Sequence, residues 1–248
     1  MPTHLLSRHS RKPRPVLSLT QGIGLELGRV HEACGPARLR FALWLAAIAP
    51  GPVLWLSSLQ IGTPPAADGI AGCASPSRFL FVQTTRTEDL LWAMEEALRS
   101  GAAALVVADM ADPPAMTPVR RLHLAAERGG RFGPAPLGLL LTSGQGGAQG
   151  IESRWHLAPA HHLPVHEAPS GGSAARMRAP SFLPGCWRLQ RLRARTLPPR
   201  SWQISQDAAD APLRAVPAAG PASAAASGPS ASGALPQPQA PLAMPARP

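Results

Sequence analysis

Residues 87–109, TEDLLWAMEEALRSGAAALVVAD, decide the fold class of this chain. The first part predicts a helix over Thr87–Arg99, because apolar side chains recur there at three- and four-residue spacing and Gly101 follows the last turn. We expect the leading threonine to cap this helix, and the two acids after it to stabilise its positive end. The second part predicts a buried strand over 103–108 that ends at Asp109 and is apolar on both faces.

The same alternation of apolar runs and amphipathic stretches continues on both sides of this segment. It predicts strands at Gly28–Cys34, Val53–Leu56, Arg78–Gln83 and Leu137–Thr142, and helices at Ala37–Ala49 and from a Thr117 cap, with Pro118 in first position, to Gly129. Buried strands separated by helices indicate an α/β fold with a mostly parallel central sheet flanked by helices on both faces. More strictly alternating segments are expected as antiparallel additions at one edge: Ile151–Leu157, Trp187–Arg195 and Ser201–Ile204.

Composition divides the chain into three parts. Residues 1–15 carry basic side chains and no acid, which predicts a basic flexible arm. Residues 16–206 are enough for one domain with a sizeable core. Residues 207–248 are dominated by alanine and proline, and we expect a disordered tail because few large apolar side chains are present to offset the entropy of ordering.

Charge, cysteines and hydropathy exclude several classes of protein. The formal net charge is +10, and its excess lies in residues 1–25 and 168–206, which indicates local contact patches. Three widely spaced cysteines exclude a disulfide scaffold or zinc finger and fit a reducing compartment. The apolar stretch Phe41–Leu56 is too short and too proline-broken to span a membrane, so we expect a cytoplasmic protein without membrane contact. The histidines at 161, 162 and 166 lack a ligand scaffold, so no metal site is expected.

The turn Cys34-Gly35-Pro36, between a strand and a helix, has the layout of a phosphate-binding loop. A functional loop needs a second glycine, a lysine and a serine or threonine, and the segment that follows has none of them. Arg38 or Arg40 could touch an anion at the helix N-terminus, although solvated helix residues are the simpler interpretation.

The stretch RVHEACGP at 29–36, the helix after it and the strand LVVAD at 105–109 together resemble the core of the RecA recombinases. Further blocks resemble the ImuA family, the RecA-related proteins of the bacterial mutagenic translesion system. These blocks are LWAMEEALRSG at 91–101, TPVRRLHLAAE at 117–127, GGAQGIESRW at 146–155, and WRL at 187–189 leading to RART at 193–196. The resemblance covers about residues 25–204 and extends neither to the basic arm nor to the tail.

By this resemblance, Gly35 stands where the phosphate loop begins and Asp109 stands where the magnesium-directing aspartate ends its strand. The lysine and hydroxyl of the loop are missing, and Ser57 and Ser58 follow the strand that should lead to the catalytic glutamate. Because these groups neutralise charge, hold the metal and activate water, their loss predicts a chain that is not an enzyme and takes no cofactor or metal. Asp109 is then expected to be an ordinary strand-end residue.

The loop at 143–150 corresponds to the RecA loop that contacts single-stranded DNA. Gly146, Gly147 and Gln149 are its interaction candidates, but a neutral loop without arginine or an aromatic would bind single-stranded DNA only weakly. The alternative interpretation is a mobile surface loop.

A row of arginines follows Trp187: Arg188, Arg191, Arg193 and Arg195. In a regular strand, alternation would place the last three on one face. Such a one-sided row could hold phosphate groups or an acidic protein. The competing interpretation is a solvated edge strand whose charges prevent aggregation.

Similarity to the ImuA family implies a non-catalytic accessory protein of SOS-induced error-prone translesion DNA synthesis. Such a protein would bridge RecA to an inactive, ImuB-like homologue of Y-family polymerases and to an error-prone replicative-type DNA polymerase. Two alternatives stay open: a SulA-type cell-division inhibitor built on a related RecA-like core, and a direct single-stranded DNA-binding module.

Overall fold

A computed structural model describes residues 14–61, 63–160 and 185–218. The strands are β1 (Val16–Thr20), β2 (Ile23–Glu26), β3 (Val30–Cys34), β4 (Val53–Ser58), β5 (Phe79–Thr84), β6 (Leu105–Asp109), β7 (Leu137–Leu141), β8 (Ser153–Pro159), β9 (Gly185–Ala194), β10 (Arg200–Gln206) and β11 (Arg214–Pro217). The helices are α1 (Arg38–Ile48), α2 (Ala67–Ala71), α3 (Thr87–Ser100) and α4 (Met116–Gly129), and a 3₁₀ turn spans Pro76–Arg78.

Nine of these strands form one sheet in the order β11-β10-β9-β8-β3-β7-β6-β4-β5. The strands from β8 to β5 run parallel to one another. Strands β9, β10 and β11 extend the sheet antiparallel beyond β8, and β1 and β2 form a separate hairpin. The predicted fold class, a mostly parallel α/β sheet with antiparallel strands at one edge, is therefore confirmed.

The segment at 151–157 was predicted as an antiparallel addition, and this prediction is wrong. Strand β8 runs parallel to β3 and begins the antiparallel part only through its pairing with β9. Its buried and half-buried residues alternate along most of its length. The alternation therefore indicates that one face of β8 is buried, and it does not indicate whether the strand runs parallel or antiparallel to its neighbour.

Two hydrophobic clusters cover the parallel part of the sheet, one on each face. On one face, α1 and the β1–β2 hairpin pack on strand residues that include Trp55 and Trp155. On the other face, α3 and α4 pack through Met94 and Leu122 on Leu140 and its neighbours. This arrangement matches the expectation of helices on both faces.

Strand β5 departs from that expectation because it is an edge strand. The sequence FLFV predicted a strand buried on both faces, yet Leu80 is 60% exposed and Phe81 and Val82 are also exposed. Only Phe79 of this run is buried. An apolar run predicts a strand, but it does not show whether that strand has neighbours on both sides in the sheet or lies at its edge.

The helix starts also differ from the predicted ones. The residue at the N-cap of α3 is Arg86, so Thr87 is already helical, and no side chain caps the helix. Helix α4 starts at Met116, which places Pro118 in the third helical position instead of the first. The predicted stop of α3 is confirmed: Gly101 has φ +66°, and an added Cβ there would lie 2.5 Å from the carbonyl oxygen of Gly129.

The ordered domain extends beyond both predicted boundaries. At its start, Arg14 pairs with Glu127, and the backbone N–H of Leu27 donates to the carbonyl of Pro15 at 2.8 Å. At its end, β11 pairs with β10 inside the segment that was predicted to be disordered from residue 207. The rest of the predicted arm and tail, and the histidines at 161, 162 and 166, lie outside the described residues. Among the described helices, none is long and apolar enough to cross a membrane.

Candidate functional site

The candidate site lies at the carboxyl ends of β3, β4, β6 and β7. Helix α1 packs on one face of the sheet and α3 and α4 pack on the other. In open parallel sheets, this edge is where ligands bind, between loops that leave toward opposite faces. The residues predicted from the degenerate nucleotide motif, Gly35 and Asp109, both lie here.

Glu32, in the middle of β3, is the central charged group of this edge and is fully buried. Its Oε1 accepts hydrogen bonds from the Thr142 hydroxyl at 2.7 Å and from the backbone N–H groups of Gly147 at 2.8 Å and Ala148 at 3.1 Å. Its Oε2 accepts from Nε of Arg154 at 2.5 Å. An internal carboxylate thus takes the donors that an anionic ligand would use.

This contact explains the glycine-rich loop. Gly146 has φ +72°, and an added Cβ would lie 2.7 Å from Oε1 of Glu32, so only glycine allows the loop to close on the carboxylate. The N–H of Gly147 is used by the same oxygen. Gln149 has an exposed side chain. Of the three loop candidates, the structure brings two to Glu32 and leaves Gln149 at the surface.

The turn that resembles a phosphate loop is also used internally. Gly35 has φ +88°, and an added Cβ would lie 2.6 Å from the carbonyl oxygen of Leu157 on β8. The N–H of Ala37 donates to that same carbonyl at 3.0 Å, and the N–H of Arg38 donates to the carbonyl of Gly35 at 3.3 Å. Gly35 therefore permits a close approach to β8, and these two amides at the start of α1 already have acceptors.

Asp109 ends β6 beside Ser57 of β4 and faces the first residue of α1. Its Oδ1 lies 3.8 Å from Nη2 of Arg38, which makes an ion pair across the edge. Burial raises the pKa of Asp109, and Arg38 opposes that rise. Within the described part of the chain, no three histidine, cysteine or acidic side chains are arranged to hold a metal ion, and neither Oδ1 of Asp109 nor the Ser57 hydroxyl has a hydrogen-bond partner.

The neighbouring thiol is not activated. Cys34 is fully buried, its Sγ lies 3.5 Å from the carbonyl oxygen of Trp155, and burial raises its pKa to about 12. Its place beside a helix N-terminus does not overcome this desolvation. Cys34 is a core residue.

The predicted one-sided arginine row is wrong, because β9 contains a bulge. Trp155 of β8 lies opposite Arg191, whereas Arg154 lies opposite Arg193, so Leu192 is an extra residue. A bulge interrupts the alternation of side chains, which places Arg191 and Arg193 toward opposite faces. Sequence spacing alone assumes a regular strand and could not show this.

Arg191 is a buried structural residue, only 5% exposed, on the face covered by α1. Its guanidinium carbon lies 5.7 Å from the ring centroid of Trp155 and 5.4 Å from that of Trp202. Its Nε and Nη2 donate to the carbonyl of Pro198 at 3.1 and 3.0 Å. Burial, and secondarily the charge of Arg200, lowers the pKa of Arg191. Arg191 is therefore removed from the candidate contact surface.

Arg188 and Arg193 remain as solvent-facing cations on the opposite face of the sheet extension. Arg188 lies in register with Gln203 of β10, which is also exposed. Arg195, beyond the strand, is half exposed, and its Nε lies 3.8 Å from Oε2 of Glu152. Arg188 and Arg193 of β9, together with Gln203 of the next strand, β10, form what we call the open sheet face.

The sequence analysis missed an ion pair at the carboxyl ends of the strands, formed by Glu32 and Arg154. A signal was present, because a glutamate inside the otherwise buried strand VHEAC must be paired to be tolerated. Its partner could not be named from the sequence, since the two residues are far apart in the chain and meet only through the pairing of β3 with β8.

Ser153 and His31 form a hydroxyl–imidazole contact that resembles a nucleophile with its base. Oγ of Ser153 lies 2.7 Å from Nδ1 of His31, whose Nε2 lies 3.0 Å from the carbonyl oxygen of Glu26. The indole N–H of Trp155 also donates to the Ser153 hydroxyl at 2.7 Å. The hollow beside them has a volume of about 30 Å³, which is room for a water molecule and not for a substrate.

The geometry defines the class of protein: a mostly parallel α/β domain in which a buried glutamate holds the loop at the carboxyl ends of the central strands. No family model matches the chain, and the curated proteins contain no match. Among solved structures the chain is similar to SulA from Pseudomonas aeruginosa, with 19% sequence identity and a TM-score of 0.36, over 46% of this chain and 98% of that one. At this distance the likeness carries no information about activity or partners.

Proposed function

We propose that this chain is a non-catalytic accessory protein of SOS-induced error-prone translesion DNA synthesis, joining RecA to a mutagenic polymerase complex. The sequence blocks that resemble the ImuA family support the biological role. The observation that carries the non-catalytic assignment is the buried Glu32 carboxylate, which accepts hydrogen bonds from two backbone N–H groups of the loop at 143–150. A protein that lacks chemistry at this edge acts through the surfaces it presents.

Nucleotide hydrolysis would require this edge to be rebuilt. Phosphoryl transfer depends on donors and a metal ion aimed at the phosphates. Here Arg38, the cation nearest the start of α1, pairs with Asp109, the one residue retained from the magnesium-directing motif. A phosphate group entering the edge would have to displace that pair and compete with the buried charge of Glu32.

The open sheet face supports the contact with other proteins. Arg188 and Arg193 are exposed there, and the described acidic side chains form no ion pair with either of them. Cations on such a face suit an acidic partner surface and favour fast association. The partners we propose are an ImuB-like inactive Y-family polymerase homologue, the error-prone replicative-type polymerase and RecA, with a weak contact to single-stranded DNA through Gln149.

Damage-induced mutation frequency tests the role. Cells carrying the double variant Arg188→Glu with Arg193→Glu should lose induced mutagenesis, whereas Arg86→Glu, on a comparably exposed arginine of the α3 N-terminus, should not. Circular dichroism and thermal unfolding of the purified variants establish that each folds. If the double variant folds and still supports wild-type levels of induced mutagenesis, the open sheet face is not the contact surface that we propose.

Pull-down from damaged cells tests the partners. Recovery of the polymerases supports the translesion role. Recovery of the tubulin-like division protein without any polymerase would reject it in favour of a SulA-type division inhibitor. Purified protein should also show no magnesium-dependent ATP turnover. Turnover that is abolished by Asp109→Ala would contradict the non-catalytic assignment.

A further inference from the structure

Helix α4 presents a second surface that the sequence analysis did not identify. Its buried positions pack on α3 and the sheet, while its exposed positions recur at helical spacing along the opposite side. That exposed side carries Arg120, Arg121, Leu124 and Arg128 and no acid. With Arg131 and Phe132 in the following turn, these residues form what we call the α4 surface.

Two large apolar side chains of the α4 surface line the same hollow. Leu124 is 65% exposed and Phe132 is 70% exposed. The turn that carries Phe132 is held by backbone bonds, from the Arg131 N–H to the carbonyl of Arg128 at 3.0 Å and from the Phe132 N–H to the carbonyl of Gly129 at 3.1 Å. Exposed apolar groups held in place beside each other and rimmed by charge are typical of a binding surface.

A hollow of about 420 Å³ lies between them, lined by Leu124, Glu127, Arg128, Arg131 and Phe132. This volume is within the range of pockets that accept a ligand group or a large side chain. An apolar floor with arginine at its rim is also the composition in which interface hot spots concentrate.

The charge of the α4 surface specifies its occupant. Glu127, the one acid among the described residues that line the hollow, is already paired with Arg14 and, at 2.8 Å, with Arg29. Burial of Glu127 would raise its pKa, but the hydrogen bonds and the charges of these two arginines together outweigh burial and lower it. Among the described residues, no acidic side chain lies within ion-pair distance of Arg128 or Arg131. The rim is therefore positive.

We propose that the α4 surface docks an acidic amphipathic helix of another protein. A large apolar side chain of that helix enters the hollow between Leu124 and Phe132, and its carboxylates pair with Arg120, Arg128 and Arg131. Nucleic acid is the less favourable occupant, because a phosphate backbone gains nothing from burying Leu124. This docking site is distinct from the open sheet face and does not depend on the translesion role.

The test uses the full chain and a labelled acidic amphipathic peptide of about 15 residues, a length at which an isolated helix begins to form in water. One face of the peptide carries leucine and tryptophan, and the rest is mostly glutamate. A matched peptide carries lysine in place of every glutamate. Fluorescence anisotropy should show binding of the acidic peptide, weakened by added salt, and no binding of the lysine peptide.

Variants locate the binding site. Leu124→Ser with Phe132→Ser, and separately Arg128→Glu with Arg131→Glu, should each weaken binding about 10-fold or more. Leu80→Ser, a comparably exposed apolar position on β5, should leave the affinity unchanged. All substituted side chains are exposed, and circular dichroism with thermal unfolding verifies that each variant folds.

Three results would overturn the proposal. The first is equal binding of the two peptides, or of the wild type and the α4 variants. The second is no binding of the acidic peptide at concentrations of about 1 mM, the weak limit of specific recognition. The third is binding of a labelled single-stranded oligonucleotide that the α4 variants abolish and the acidic peptide does not displace.

Discussion

Mild acid should destabilise this domain, because two histidines are buried in neutral form. Burial lowers the pKa of His31 and of His123 to about 4, from an ordinary value of 6.5. His31 is held by Ser153 and the carbonyl of Glu26, and the nearby charge of Arg29 reinforces its shift. Nδ1 of His123 accepts from the Val30 N–H at 3.2 Å.

The direction follows from proton binding. Between pH 6.5 and 4 the unfolded chain binds protons at these histidines and the folded chain does not. Their contribution to stability is therefore complete above pH 6.5 and is lost as the pH falls toward 4. Each histidine costs up to about 1.4 kcal/mol for each pH unit in that window, so the pair should cost about 4 kcal/mol between pH 7 and pH 5. That is a large share of a typical unfolding free energy of about 5–15 kcal/mol.

Urea unfolding at pH 7 and pH 5 measures this loss, and His123→Gln isolates one half of it. A glutamine at that position can accept from the Val30 N–H and donate to the carbonyl of Gly150, as the imidazole does at 3.2 and 3.1 Å. The variant should lose about 2 kcal/mol less than the wild type between the two pH values.

Comparison with the wild type removes the contribution of the carboxylates. Burial raises the pKa of Glu26 and of Asp109, so protonation of these groups favours the folded chain as the pH falls, opposite in sign to the histidines. Both groups are unchanged in His123→Gln, so their effect cancels in the difference. An equal loss of stability in variant and wild type, or a gain at pH 5, would refute the argument that His123 is buried in neutral form.

Three further outcomes follow from the described contacts. Glu32→Gln should lower the unfolding free energy by about 3 kcal/mol in urea titrations, because it leaves the largely buried Arg154 without its counter-charge. An unfolding free energy equal to that of the wild type would show that the Glu32–Arg154 pair does not stabilise the fold. Arg191→Glu should destabilise the fold and Arg193→Glu should not, as thermal unfolding of both proteins would show, and equal behaviour would contradict the bulge. Truncation after Gln206 should lower the midpoint of thermal unfolding because it removes β11, whereas truncation after Ala218 should not. If both shorter chains unfold at the same temperature as the full chain, β11 contributes nothing to stability.

Much of the fold could be predicted because its signals are local. The periodicity of Thr87–Arg99 and the glycine after it depend only on neighbouring residues, and α3 is found there with its stop at Gly101. The strands predicted at 103–108 and 137–142 are likewise found as β6 (Leu105–Asp109) and β7 (Leu137–Leu141), buried throughout. The missing lysine and hydroxyl after Gly35 are also read directly from the chain.

The candidate site could be predicted only in part, because its contacts join distant segments. Gly35 and Asp109 were predicted at the ends of strands, and the structure has them there, after β3 and at the end of β6. The group that fills the edge, Glu32, acquires its partners through the pairing of β3 with β7 and β8, and no local pattern encodes that pairing. The resemblance to a nucleotide site can therefore be seen in the sequence, whereas the contacts of Glu32 that fill this site cannot.

Strand neighbours and register were beyond the sequence for the same physical reason. The period-two pattern of β9 implied one face for Arg191, Arg193 and Arg195, and a single bulge against β8 separates the first two. The run FLFV implied a central strand, and the order of the sheet leaves it at an edge with Leu80 in solvent. Hydrophobic periodicity reports how a segment would pack once a neighbour exists, while the neighbour itself is chosen by the packing of the whole chain.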